Sequence, residues 1–327
     1  MTAEPAPLIV DVDTGLDDAF ALLYACASAR ARLIGVSTVA GNVSLARATR
    51  NTRAVLALAG RADLPVWPGS AAPMLRVPVE ARVAHGADGL GGATLPEPPP
   101  AEGAIHAVDA ILAHARAAER QVTLVATGPL TNIAAALMRE PELPRLIERL
   151  VLMGGAYREA GNVTPAAEFN IWSDPEAAQL VFRAFAAEGA APLIAVGLDV
   201  TRKTQLVPDD LAALAKRCAG LAHAPALLRF LDDAARYYFE RMEKSVGARV
   251  FTMHDPLAVA AAVDPSLVAT RRVAVDVETA GALTTGMTVA DWRGAWKRPP
   301  NAEVAVAVEA KRFIAEFLDA MERLARG

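Results

Sequence analysis

Residues 8–20 read LIVDVDTGLDDAF, an apolar run that breaks into four carboxylates, Asp11, Asp13, Asp17 and Asp18, crowded around Gly15. The run has the character of a buried strand, and DDAFALLYACAS after it carries its apolar residues at helical spacing. The junction is therefore a strand-to-helix turn. Aspartate is common at such turns and at helix N-caps, where its oxygen accepts orphan backbone N–H groups and the helix dipole favours negative charge. That explains Asp17 or Asp18, but not Asp11 and Asp13 at the end of the strand. Like charges a few ångströms apart repel, and each tends to take up a proton unless a cation relieves it. The cluster predicts a metal site or acid/base chemistry.

The same grammar repeats outward from this turn. RLIGVSTVAG precedes SLARATRNTRAVLALAG, VTLVATG precedes TNIAAALMRE, ERLVLMGGA precedes DPEAAQLVFRAFAAEG, and PLIAVGLDV closes the series. Short apolar runs alternating with longer helical segments are the signature of βαβ units. The prediction is an α/β fold, a single domain over residues 1–327 with an open, mostly parallel, Rossmann-like sheet flanked by helices. Ligands of such sheets bind outside the carboxyl ends of the strands, where all of these turns fall. Beyond residue 200 the pattern is mostly helical, and residues 205–250 are expected to cover the site. The Pro-rich LPEPPPAEG is expected to be a rigid surface connection, because strand-helix units resume after it.

Composition narrows the class of partner. With 327 residues, 53% of them hydrophobic, the chain can bury a large core, and a net charge of -4 leaves no basic stripe for nucleic acid or an anionic membrane. A small molecule is the expected partner. Two cysteines, Cys26 and Cys218, both in helix-like stretches, argue against a disulfide framework. With no signal-like N-terminus and no apolar stretch of membrane-spanning length, the expected location is the cytoplasm.

Polar residues gather on the same sheet edge. VATGPLTN places Thr127, Gly128, Thr131 and Asn132 at one turn, and LMGGAYREAGNVTPAAEFN brings Met153, Asn162, Glu168 and Asn170 into one loop. Farther on, HDP sets His254 and Asp255 before a helix with Pro256 in its first turn. Taken alone, Asp255 reads equally well as a helix cap, and His254 as a structural histidine.

Together these segments resemble the inosine-uridine preferring nucleoside hydrolases: DVDTGLDDAFAL, AGNV, HGADGLGG, ATGPLTN, LMGGA, GNVTPAAEFN and HDP occur in the family's order, from about residue 8 to about residue 295. Thr14 departs from the proline common there, and Thr285 from a frequent arginine; both are expected to tune packing or subunit contacts. The resemblance implies that Asp13, Asp18, Asp255 and the main-chain carbonyl of Thr127 ligate calcium, with Asp11 in or beside that shell. Calcium suits the donor set, since it takes about six to eight oxygen ligands. Asp17, Asn162, Glu168, Asn170 and the Met153 backbone would bind ribose, favouring ribonucleosides over deoxyribonucleosides. His85, Asn42 and the segment Tyr237, Tyr238 and Phe239 would contact the base.

The implied reaction is hydrolysis of the N-glycosidic bond. Calcium polarises a water, Asp13 takes its proton, and His254 protonates the leaving base, its ordinary pKa of about 6.5 lying near working pH. The family also implies a homotetramer or homodimer. Two alternatives stand beside this reading. DVDT is similar to the haloacid dehalogenase pattern of phosphoryl transfer with magnesium, which calls for a lysine near the site, for which Lys203 is the candidate. The other is a sugar-binding protein on this scaffold without turnover.

Overall fold

The computed structural model describes residues 5–98, 105–117 and 121–327. Most of the Pro-rich stretch lies outside these residues. Eight strands, β1 (Ala6–Val12), β2 (Ala31–Thr38), β3 (Val66–Pro68), β4 (Thr123–Ala126), β5 (Arg149–Met153), β6 (Leu193–Val196), β7 (Val268–Val273) and β8 (Ala302–Val308), form one sheet. Their order is β3-β2-β1-β4-β5-β6-β8-β7. Every pairing is parallel except that of β7 with β8. The mostly parallel α/β sheet predicted from the strand-helix alternation is what the chain forms.

Helices cover both faces: α1 (Leu16–Ala27), α2 (Leu45–Leu58), α3 (Ala107–Ala117), α4 (Thr131–Arg139), α5 (Pro175–Ala184), α6 (Pro208–Arg217), α7 (Ala224–Val246), α8 (His254–Val263) and α9 (Ala310–Arg326). Successive strand side chains point to opposite faces. Leu8, Val10 and Val12 accordingly join the core beneath α1, α7, α8 and α9, and Ile9 joins the core beneath α3, α4 and α5. Asp11 shares the parity of Ile9, which turns it toward α4.

Helix α1 is buried from Leu16 to Ala25, as an apolar-all-round helix must be. Phe20 anchors it, stacked on Phe251 at 4.6 Å and on Phe317 at 5.9 Å between centroids. The helix starts at Leu16 with Gly15 as its N-cap, so neither Asp17 nor Asp18 is the capping residue. Asp18 instead reaches back to accept the Gly15 N–H at 2.9 Å. Likewise α8 has Met253 as N-cap without a side-chain cap, which removes the capping explanation of Asp255.

The region beyond residue 200 is less helical than its pattern predicts. It contributes β7 and β8 to the sheet and two small antiparallel pairs, Gln205–Leu206 with Phe251–Thr252 and Val275–Val277 with Thr288–Ala290. β7 is an edge strand whose VATRRV is exposed at its four central positions, so it shows no apolar alternation. No helix among the described residues is long and apolar enough to cross a membrane. Both cysteines are free.

Candidate active site

Chain order along the sheet reverses between β1 and β4, and the crevice at such a switch point is where open α/β sheets bind ligands. The turn after β1 delivers Asp13 into it, and the first turn of α1 delivers Asp17 and Asp18. The turn after β4 brings Thr127, and the start of α8 brings His254 and Asp255. A cavity of about 800 Å³ opens above Asp17, Thr127, His254 and Asp255, with Asp13 and Asp18 fully buried behind its wall.

Asp17, Asp18 and Asp255 each present a carboxylate oxygen within 4.8 Å of the others. Asp13 adjoins Asp18, and Asn42 clamps both: its backbone N–H donates to Asp13 Oδ2 at 2.6 Å, and its Nδ2 to Asp13 Oδ1 at 3.0 Å and to Asp18 Oδ2 at 3.1 Å. Thr127 Oγ1 donates to Asp18 Oδ1 at 2.8 Å. Asp11 sits one layer below, accepting from Ser37 Oγ at 2.6 Å and Asn132 Nδ2 at 2.8 Å. Burial and mutual repulsion raise these acids: Asp11 to about 6, Asp17 to about 7, and Asp13 and Asp255 well above the ordinary range. Asp17 Oδ1 and Asp11 Oδ2 are buried with no hydrogen-bond partner. Packed oxygen acceptors with orphaned lone pairs fit a hard metal cation.

The loop after β5 walls the crevice. Glu168 caps the short helix Phe169–Ser173, its Oε1 accepting the Asn170 N–H at 2.8 Å and its Oε2 the Gly155 and Ile171 N–H groups at 3.0 and 3.1 Å. Asn170 Nδ2 donates to the Thr127 carbonyl at 2.7 Å and to the Met153 carbonyl at 3.1 Å. That carbonyl of Thr127 keeps a second lone pair for another partner. Asn162 lines the cavity and accepts the Phe169 N–H at 2.9 Å.

Two histidines border the acids. His85 Nδ1 accepts the Leu16 N–H at 3.0 Å, which places its hydrogen on Nε2. A Cβ on Gly15 would lie 2.4 Å from that Nδ1, so the turn needs glycine there for close approach. His254 Nδ1 lies 2.7 Å from Thr201 Oγ1. Burial, with neighbouring arginines, lowers both imidazoles to about 3. The expectation that His254 titrates near neutrality is thereby corrected: it is neutral there, and when Nδ1 accepts from Thr201 the remaining hydrogen is on Nε2.

The base-contact expectation holds in part of its geometry. His85, Asn42 and Tyr238 line the cavity. Tyr237 turns aside, its hydroxyl 3.4 Å from the Val83 carbonyl, and Phe239 lines a separate groove beneath α6. Consecutive helix positions point about 100° apart, so three neighbouring aromatics cannot share one wall. Asn42 is held on the carboxylates. Asp17, read from sequence as a ribose ligand, belongs to the acidic trio. Thr14 packs on Thr52, their hydroxyls 2.6 Å apart, and Thr285 bonds to the Gly281 carbonyl within its own loop. Sequence reading missed Arg202 and Arg241 in the cavity wall. Arg241 lies one helical turn beyond Tyr238, a spacing that could have flagged it. Lys203, the lysine that phosphoryl transfer would need, is not among the residues lining the cavity.

Comparison with known proteins agrees with this architecture. The sequence pattern of the inosine-uridine preferring nucleoside hydrolase family matches residues 8–315. The chain is 38% identical to the inosine-uridine preferring nucleoside hydrolase of Crithidia fasciculata, over 98% of each protein. It is 40% identical to a pyrimidine-specific ribonucleoside hydrolase of Photobacterium profundum, over 94% of this chain and 96% of that one. Its fold superposes on a purine-preferring ribonucleoside hydrolase from Gardnerella vaginalis with a TM-score of 0.89, at 34% identity over 98% and 99% of the two chains. A switch-point crevice floored by carboxylates, on a chain that matches over nearly its whole length, places this protein in the inosine-uridine preferring nucleoside hydrolase family, enzymes that cleave the N-glycosidic bond of ribonucleosides.

Proposed function

We propose that the protein is a calcium-dependent ribonucleoside hydrolase, releasing free base and ribose, with Asp13 as general base and His254 as the acid that protonates the leaving base. The observation that carries this reading is the gathering of Asp17, Asp18 and Asp255 within 4.8 Å, with Asp17 and Asp255 lining one cavity and Asp18 and Asp13 fully buried behind them. Asp13, Asp18, Asp255 and the Thr127 carbonyl would hold the ion, next to Asp17, whose Oδ1 is buried without a hydrogen-bond partner. Calcium bound there supplies Lewis-acid polarisation of a water and a docking point for ribose hydroxyls.

Asp13, clamped by Asn42, accepts the proton of the attacking water. Asp17, Asn162, Glu168, Asn170 and the Met153 backbone grip the ribose, and the carboxylates stabilise the positive charge that develops on the sugar ring. His254 offers Nε2–H to the departing base, oriented through Thr201, while His85 and Tyr238 border the base. The free cysteines accord with a cytoplasmic enzyme, and the family likeness with a homo-oligomer.

The experiment is release of reducing sugar from a panel of ribonucleosides and their 2′-deoxy counterparts, with and without a chelator. Turnover confined to ribonucleosides, lost on chelation and restored by calcium, is the expected result. Full activity in protein free of divalent metal would overturn the metal assignment, and phosphatase activity without sugar release would favour the dehalogenase-like chemistry.

A further inference from the structure

Opposite its acidic floor the cavity has a cationic wall. Arg241 on α7 lines it together with Tyr238, His85 and His254. Its guanidinium lies over the Tyr238 ring, 4.8 Å from the centroid. Its Nε is buried without an acceptor, while the rest of the guanidinium meets the Tyr238 hydroxyl and, through Nη2, the Met242 sulfur at 3.6 Å. Arg202, the other cation of this wall, is engaged elsewhere: it donates to the Gly161 carbonyl at 2.9 Å and lies 3.7 Å from a Glu159 oxygen. Arg241 makes no ion pair among the described residues. A partly buried guanidinium with no carboxylate partner and a buried, unmet Nε–H is costly unless a ligand compensates it.

The position of that charge is informative. It shares one cavity lining with His85, His254 and Tyr238. A ribose held over the carboxylates would project its base toward this part of the lining, where His85, His254 and the guanidinium lie. The guanidinium cannot deprotonate and offers donors only.

We propose that Arg241 is a specificity-determining residue which donates to a carbonyl oxygen of the departing base, stabilising the negative charge that forms there and discriminating carbonyl-bearing bases from adenine. This rests on the hydrolase reading above. As the C1′–N bond breaks, its electron pair moves onto the base nitrogen and delocalises onto the conjugated carbonyl oxygen. The water oxygen bonds to C1′, its proton passes to Asp13, and the base anion takes the Nε2 proton of His254 as Nδ1 gains one from solvent through the Thr201 hydroxyl, so that the imidazole stays neutral. In adenine the exocyclic group is an amine, which sets donor against donor. A donor aimed at charge that develops only in the transition state acts on kcat more than on KM.

The test compares wild type, Arg241→Met and Arg241→Lys on inosine and adenosine, with kcat and KM separated and melting temperature as a check on folding. Removing a donor of this kind costs about 10²-fold. Arg241→Met should therefore lose about 10²-fold more kcat on inosine than on adenosine, and Arg241→Lys should recover part of it by restoring the charge. Equal losses on both nucleosides, or no loss, would overturn the proposal. A second arm measures calorimetric binding of free hypoxanthine and free adenine. If wild type cleaves no ribonucleoside, the hydrolase reading falls, and this arm still judges Arg241. Hypoxanthine binding selectively weakened by Arg241→Met supports its role, and unchanged or equally weakened binding rejects it.

Discussion

Each carboxylate around Gly15 has a distinct job, set by its neighbours. Asp11 is a buttress, held by Ser37 and Asn132, whereas Asp13 has both oxygens clamped by Asn42 and is the base of the proposed mechanism. Asp13→Asn should fold and lower kcat by about 10²–10⁴-fold, the usual worth of a positioned base. Steady-state kinetics beside a melting curve checks this, and a near-normal rate would move the base to another carboxylate. His254 calls for a comparison of leaving groups. His254→Ala should slow natural nucleosides far more than a synthetic riboside whose leaving group departs without a proton. Equal slowing of the two would mean that the Thr201–His254 contact merely braces Asp255. The residue types were legible in the sequence. The neutrality of His254 was not, because burial and the field of arginines from other elements decide it.

Elements deliver these groups at short range, and the loops between them have little slack. The turn after β2 passes so close to the acids that a Cβ on Gly41 would lie 2.1 Å from Asp13 Oδ2 and 2.7 Å from Pro129 Cδ. Gly41→Ala should displace the Asp13 carboxylate, lowering kcat/KM by about 10²-fold, as small misplacements of a reacting group do. Overpacking of this kind costs about 1–3 kcal/mol of stability. Urea unfolding and kinetics on one preparation separate the two effects, and wild-type kinetics would mean that the loop yields. The strand-helix units β1–α1 and β4–α4 announced themselves by apolar runs followed by helical period. β7 did not, because an edge strand with arginines at its exposed positions lacks the alternation that marks a strand.

At the scale of the whole molecule, the acidic cluster couples stability to pH and to metal. Asp11, Asp13, Asp17 and Asp255 all have raised pKa values, so in the metal-free protein the folded state binds more protons than the unfolded chain. Their stabilising contribution is full below the unfolded value of about 4 and is lost as pH rises through the folded values. His85 and His254, lowered to about 3, act in the opposite sense between that value and about 6.5. Four carboxyls outweigh two imidazoles. The chelated protein should therefore melt at a lower temperature at pH 7.5 than at pH 5.5, and calcium should raise the melting temperature at pH 7.5 by replacing the protons with a cation. Scanning calorimetry at both pH values checks this, and a metal-free melting temperature that rises across the interval would show that the cluster does not carry net repulsion. What the sequence alone determined is the alternating sheet, the turn that concentrates four aspartates at its edge, and the identity of the polar set, because period and residue type are local properties of the chain. The tertiary structure alone decided that Asp17 joins Asp18 and Asp255, that Glu168 caps a helix with the oxygens expected to grip ribose, that Tyr237 and Phe239 turn away, and that Arg241 faces the cavity without a carboxylate. Those outcomes depend on distances between segments far apart in sequence and on which groups lose their water, and no local pattern encodes either.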